Sequence, residues 1–264
     1  ILVRLGLLIY DNLGGRKILL GTKTFKSKNT KITSLLKNKF SSVFVFSDCW
    51  VEDSRLVILN AVDAKKRGAS ILTHTKVTDF KKEKKYWRIT TQNSLGQIQE
   101  FFSYAIVNAS GPWVNTINHQ AGADGEQISL VKGSHLVFNK LFEHDSSYFL
   151  LGNDGRIIFL IPFQGDFTLV GTTEVPHENI LEDPKCSSLE TKYLIEFVNQ
   201  YFKFDLKFEN IVWRYSGIRP LYKNSKKKKG SVSSTTRDYK LNLDTVEGLP
   251  ILNIYGGKLT TYRK

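Results

Sequence analysis

The chain has 264 residues, 41% of them hydrophobic and 24% charged, with two cysteines and a formal net charge of +13. This is an ordinary globular balance, enough for one large domain or two of usual size, and it excludes a disulfide framework. No apolar run approaches the roughly 18 residues of a membrane-spanning helix.

Cys49 and Cys186 lie far apart and outside any CxxC or Cys/His cluster, which fits a reducing compartment. The five histidines are scattered without HExxH or other ligand spacing, so no metal site is expected. The excess of 38 Lys+Arg over 25 Asp+Glu favours anionic partners. The lysines are nonetheless thinly spread. The dense run Lys226–Lys229 reads as a solvated loop, with a membrane-surface patch as the alternative. Aromatic residues do not alternate with basic ones, so no nucleic acid is expected.

In chain order, ILVRLGLLIY comes first. Arg4 and Gly6 interrupt it and no cleavage site follows, so it reads as a core segment rather than a signal peptide. The chain opens on Ile, contains no methionine and stops inside an expected helix, so a fragment is expected. A helix is predicted over Val51–Arg67. Ser47 and Asp48 are cap candidates, Glu52 and Asp53 suit its first turn, Lys65, Lys66 and Arg67 its last, and Gly68 closes it.

ASILTHTKVTDF, KKEKKYWRITTQ and IQEFFSY then read as an antiparallel meander before a buried strand, Ala105–Asn108. That strand leads into Ser110-Gly111-Pro112-Trp113 and a helix running to Ala121, closed by Gly122. From Ser129 short strands with glycine turns predict a mostly antiparallel sheet. An amphipathic helix follows over Ser187–Tyr201, with Leu189, Tyr193, Leu194, Phe197, Val198 and Tyr201 at helical spacing. No internal repeat is present. The expected fold class is α/β (α+β) in two parts.

Five short stretches could carry chemistry. In NASGPW a strand, a small-residue turn and a helix start expose backbone N–H groups, so a flat ligand or a phosphate can approach closely. YGGKLTTYRK repeats the device: Gly256 and Gly257 leave room and Lys258 adds a charge able to stabilise negative charge on a bound ring. SGIRPL presents Arg219, held by Pro220 and preceded by Gly217, and TTRDY presents Arg237. An arginine fork suits a phosphate or carboxylate, and a surface ion pair is the plainer alternative. KGSHLVF places His135 after a glycine turn, where a lone histidine is more often structural than a base.

The order of the motifs is more specific than any one of them. SDCWVEDSRL, VNASGPWV, KGSHLV, IPF, GTTE, WRYSGIRPL, TRDY and YGGKLTTYR together closely resemble the FAD-dependent glycerol-3-phosphate dehydrogenases, from about Arg4 to the last residue. The resemblance implies a partial FAD-binding flavoprotein fold with a mostly antiparallel-sheet substrate domain. It implies oxidation of sn-glycerol 3-phosphate to dihydroxyacetone phosphate, with hydride passing from C2 to FAD and electrons onward to a membrane quinone. Asn108, Ala109, Ser110, Gly111 and Trp113 would contact the flavin, with Ser110 where many relatives carry Thr. Gly217, Gly256, Gly257, Lys258, Leu259 and Thr260 complete the implied cofactor set. Arg219 and Arg237 would hold the substrate phosphate, and His135 and Lys258 are the candidate proton acceptors.

On that resemblance residues 1–128 are part of the FAD-binding domain, 129–248 the substrate domain and 249–264 a return to the first. The strand–GxGxxG–helix unit that opens the family is not in this sequence. Location is expected at the cytoplasmic face of the inner membrane, peripherally bound, with a homodimer left open. An oxidase using dioxygen and a truncated, non-catalytic remnant are the alternatives.

Overall fold

The computed structural model describes residues 2–13, 18–26, 30–40, 42–152, 155–180, 182–222, 239–257 and 259. Two compact units result. One comprises Ile1–Glu52, Ser134–Thr173 and Cys186–Tyr215; the other comprises Asp53–Gly133, Glu174–Lys185 and Ser216–Lys264.

The first unit begins with helix α1 (Leu2–Asn12) and the antiparallel pair β1 (Lys23–Phe25) and β2 (Val43–Val45). The expectation of a core segment at the N-terminus is corrected here. No side chain of α1 is buried, and Leu2, Leu5 and Leu8 are exposed. It is tied to the rest of the unit through Tyr10, which donates to Asp48 and packs on Phe46, and through Asp11, which accepts from the Thr22 backbone and hydroxyl at 2.8 Å.

In the second unit α2 (Asp53–Lys66) falls within the predicted helix. Gly68 ends it at φ 96°, a backbone that glycine adopts without a Cβ clash. The meander forms as β3 (Thr75–Lys82), β4 (Trp87–Asn93) and β5 (Ile98–Ser103), all antiparallel. Next come β6 (Ile106–Asn108), a single 3-10 turn at Gly111–Trp113, and α3 (Val114–Ala121), closed by Gly122 at φ 75°. The strand expected to be buried is so only at Asn108; Val107 is 63% exposed. Its apolar composition reports strand propensity here, not burial on both faces.

Strand β7 (Ile128–Asn139) runs through both units. Gly133 lies inside it, buried, rather than at the turn expected before His135. In the first unit the sheet order is β7, β10 (Phe167–Gly171), β9 (Ile157–Phe163), β8 (Tyr148–Leu151), all antiparallel. Alternation sorts the faces: Ile158 and Leu160 point in, Ile157 and Phe159 out. Helix α4 (Ser188–Asn199) lays Leu194, Phe197 and Val198 into the same core as Leu136, Phe138 and Phe202. A reciprocal cap between Ser187 and Glu190 starts that helix. Leu189, expected on the apolar stripe, is 81% exposed.

The remaining strands are β11 (Val175–His177), paired with the first part of β7, then β12 (Ile211–Tyr222), β13 (Tyr239–Val246) and β14 (Leu249–Gly256). The tight turn at Glu247-Gly248 has positive φ at both residues and joins β13 to β14 as a hairpin. Strand β14 also pairs with β6, in parallel. Trp87, Ala121, Val246, Leu249 and Ile251 form the core of this unit, and the Trp87 indole donates to the Pro250 carbonyl at 3.2 Å.

Candidate functional site

The parallel pairing of β6 and β14 sets the geometry. Asn253 stands opposite Asn108. Being parallel, both strands point toward the same carboxyl edge, where open α/β sheets bind ligands; β6 ends at Asn108, and β14 runs on to Gly256. Gly111 and Gly256 each stand three residues beyond the paired asparagines (108 + 3, 253 + 3). Gly111, Gly256 and Gly257 have φ of 59°, 66° and 103°, a region that disfavours side chains. A Cβ at Gly111 would meet nothing within 4 Å, so the space beside that turn is open. Ala109 is exposed, Ser110 half-buried, and Trp113 is 48% exposed. Next to Pro112 a cavity of about 430 Å³ is lined also by Asn115, Thr116, Val131 and His177.

Beneath the turns lies a buried polar cluster. The Asn108 amide reaches the Val114 carbonyl at 2.9 Å, the Asn118 Oδ1 at 3.0 Å and the Asn253 Oδ1 at 2.9 Å. Its own Oδ1 accepts from the Ser110 hydroxyl at 2.7 Å. Asn118 donates to the Tyr255 hydroxyl at 2.7 Å and to the Asp124 carbonyl at 3.2 Å. Asn253 donates to Asp244 at 3.1 Å, and Asn242 to the same oxygen at 2.9 Å. Burial above all pushes the Tyr255 phenol up from its ordinary range, which keeps it neutral.

Gly217 and Arg219 share the same unit, on β12. The Arg219 guanidinium lies 3.8 Å from Glu174, with both side chains partly exposed. Three residues on, Tyr222 packs on Tyr255 at 6.4 Å between ring centroids and lies under the Lys240 ammonium. Leu259 is 39% exposed. Arg237, Lys258, Thr260, the run Lys226–Lys229 and the helix expected after the last glycines lie outside the described residues.

His135 belongs to the first unit. It pairs with Gly171 across β7 and β10, and a Cβ at Gly171 would sit 2.0 Å from its ring. Its other face stacks on Tyr215 at 5.0 Å and 12°, and Tyr215 stacks in turn on Trp213. The imidazole is thus held in a slot that glycine leaves open. Two hydroxyls next to this slot are fixed by a buried carboxylate: Ser134 donates to Glu190 at 2.7 Å and Thr173 at 2.8 Å.

Sequence reasoning did not single out Asn118 or Asn253, and Gly171, Glu174, Tyr215 and Tyr255 entered it only inside the motifs GTTE, WRYSGIRPL and YGGKLTTYR, with no role of their own. The available signal was the asparagine inside the apolar run Leu249–Tyr255, at a position that faces inward. Among the described residues no group of three or more His, Cys, Asp or Glu side chains is placed to hold a metal ion. Nor, among them, is any helix long and apolar enough to cross a membrane.

A family model described as FAD dependent oxidoreductase matches residues 19–263. The chain belongs to this family. The structure agrees with the partial FAD-binding, largely antiparallel fold expected from the motifs. It superimposes with a TM-score of 0.71 on the glycerol-3-phosphate dehydrogenase from Bacillus halodurans complexed with FAD, at 22% identity over 92% of this chain and 49% of that one.

Among curated relatives, D-erythritol 1-phosphate dehydrogenase of Brucella abortus (strain 2308) is 42% identical over 266 residues, 100% of this chain and 52% of the relative. Aerobic glycerol-3-phosphate dehydrogenase of Escherichia coli (strain K12) is 36% identical over 269 residues, 100% and 52%. The chain spans about half the length of the curated relatives it matches. The FAD of this family fits the residues present: two neighbouring parallel strands, three glycines at positive φ and an open approach at Gly111.

Proposed function

We propose that the protein oxidises sn-glycerol 3-phosphate to dihydroxyacetone phosphate, with a quinone as the final electron acceptor. The observation that carries this reading is the alignment of the whole chain with a dehydrogenase named for that substrate. FAD supplies the hydride acceptor when bound. Asn108 to Trp113 and Gly256 to Thr260 cradle it, with Gly217 alongside. Arg219, released from Glu174, and Arg237 hold the substrate phosphate by charge-assisted hydrogen bonds. His135 or Lys258 takes the proton from the C2 hydroxyl as general base. Residues 1–128 with 249–264 serve the flavin, and 129–248 serve the substrate. The net charge of +13 suits peripheral binding to an anionic membrane surface at its cytoplasmic face.

A second reading takes D-erythritol 1-phosphate as substrate, favoured by the 42% identity to a dehydrogenase named for it. Both are phosphorylated polyols, so the phosphate contacts serve either, and the pocket beyond C2 decides. The test is kcat/KM for the two substrates on purified, FAD-loaded protein with a quinone analogue, and peroxide yield alongside. Preference for glycerol 3-phosphate without peroxide supports the first reading. Preference for the tetritol phosphate replaces it with the second, and stoichiometric peroxide points to an oxidase.

A further inference from the structure

We infer that Asn118, Asn253 and Tyr255 are positioning residues that tie the two glycine turns into one mechanical unit, with the Asn108 amide as the hub. The inference rests on the reading above that both turns take the flavin. Asn108 is 3% exposed, and Asn118, Asn253 and Tyr255 are fully buried.

The hub is over-subscribed on its donor side. One NH2 group has two hydrogens, yet acceptors from α3 and β14 stand within 3.0 Å on three sides. One hydrogen is therefore shared, and the amide cannot rotate without losing a partner from either element. On its acceptor side the hub holds the Ser110 hydroxyl. The Ser110 proton is thus committed inward. On β14 the inward positions are Leu249, Ile251, Asn253 and Tyr255. An apolar side chain at 253 would fill the core as Ile251 does, without the desolvation that an amide costs. The amide adds orientation. The path from Ser110 through Asn108 and Asn253 reaches the base of the second turn, and a parallel path through Asn118 reaches Tyr255, the residue before Gly256.

Amide hydrogen exchange on the ligand-free protein tests this, with wild type, Tyr255→Phe and Asn253→Ser compared. Tyr255→Phe keeps the ring and removes the oxygen, which accepts from Asn118 and also bonds the Glu126 backbone. It is expected to speed exchange about fivefold, the factor for a net hydrogen bond of about 1 kcal/mol, at Ser110 and Trp113 as well as at Gly256 and Gly257. The amides of Leu194 and Val198 report opening of the other unit and should not change. The FAD dissociation constant, read by flavin fluorescence, should rise by a similar factor.

Faster exchange only around position 255 would overturn the inference, because the turns would then be independent. Faster exchange at both turns with unchanged FAD affinity would also overturn it, leaving a structural role alone. If wild type binds no FAD at all, the proposed function fails, and the exchange pattern by itself decides whether the turns are joined. Tyr255→Phe carries the test should Asn253→Ser not fold.

Discussion

The two units solve the same packing problem with different chemistry. In the first, α4 and a four-strand antiparallel stretch close over Leu136, Phe138, Ile158, Leu160, Leu194 and Phe202, and the interior is held mainly by apolar contact and aromatic pairs, with the buried Glu190 carboxylate and its two hydroxyl partners at one side. In the second, the apolar core is small and centred on Trp87 and Ile251, while the strand ends that carry the turns rest on buried amides. Apolar packing is non-directional, so it fixes a fold more readily than it fixes a backbone angle. Hydrogen bonds are directional, and they appear where a turn must hold one shape for a ligand.

Deep truncation in the apolar unit should have the largest effect on stability and the least on the site. Phe202→Ala removes a fully buried ring and is expected to destabilise by about 3–5 kcal/mol in urea unfolding, with FAD affinity of the folded protein unchanged. A loss of FAD affinity in that variant would break the contrast. Arg219→Ala should show the opposite pattern. It should lower kcat/KM for the phosphorylated substrate by about 2–5 kcal/mol, the cost of removing one partner of a buried charge pair, and leave the melting temperature nearly unmoved. An unchanged kcat/KM would remove Arg219 from the phosphate role.

Asn253→Leu comes next. It removes the β14 acceptor of the Asn108 amide, which keeps only its two partners on α3, and leaves Asp244 short of a donor, and should cost about 1–3 kcal/mol of stability. Stabilisation instead would mean that the amides are not required and that packing alone holds the second unit.

The smallest effect is a pH dependence in the first unit. His144 is held below its ordinary value, chiefly by burial, against opposing backbone hydrogen bonds and the nearby Asp145 charge. Its ring accepts or donates at the Tyr148 hydroxyl, 2.9 Å away. The folded state then binds fewer protons than the unfolded state. The stability is intact above the ordinary value of 6.5 and declines as the pH falls below it toward the lowered one. His144→Gln should flatten that part of the pH–stability curve; an identical slope would show that another group causes it.

Local rules made much of the fold legible. The helix at Asp53–Lys66 follows from acidic and basic ends and a closing glycine, and α4 from its apolar spacing. The hairpins of the first unit follow from strand alternation with Gly165 at a turn of positive φ. What escaped was what depends on distant partners. Composition marks the first ten residues as apolar, but it does not say whether an element covers them. Gly133 looks like a turn and lies in a strand because its neighbours pair across the sheet. The bond from Asn108 to Asn253 spans 145 residues of sequence, so neither asparagine advertises the other. Likewise the slot for His135 depends on Gly171, whose missing side chain is a requirement only once β7 and β10 are paired.

The most direct measurement is the visible absorption spectrum of the purified protein after incubation with FAD and desalting, followed by anaerobic addition of sn-glycerol 3-phosphate. The account predicts a retained, near-stoichiometric flavin band that bleaches on addition of the substrate. A colourless protein, or a retained flavin that no phosphorylated polyol bleaches, would contradict it.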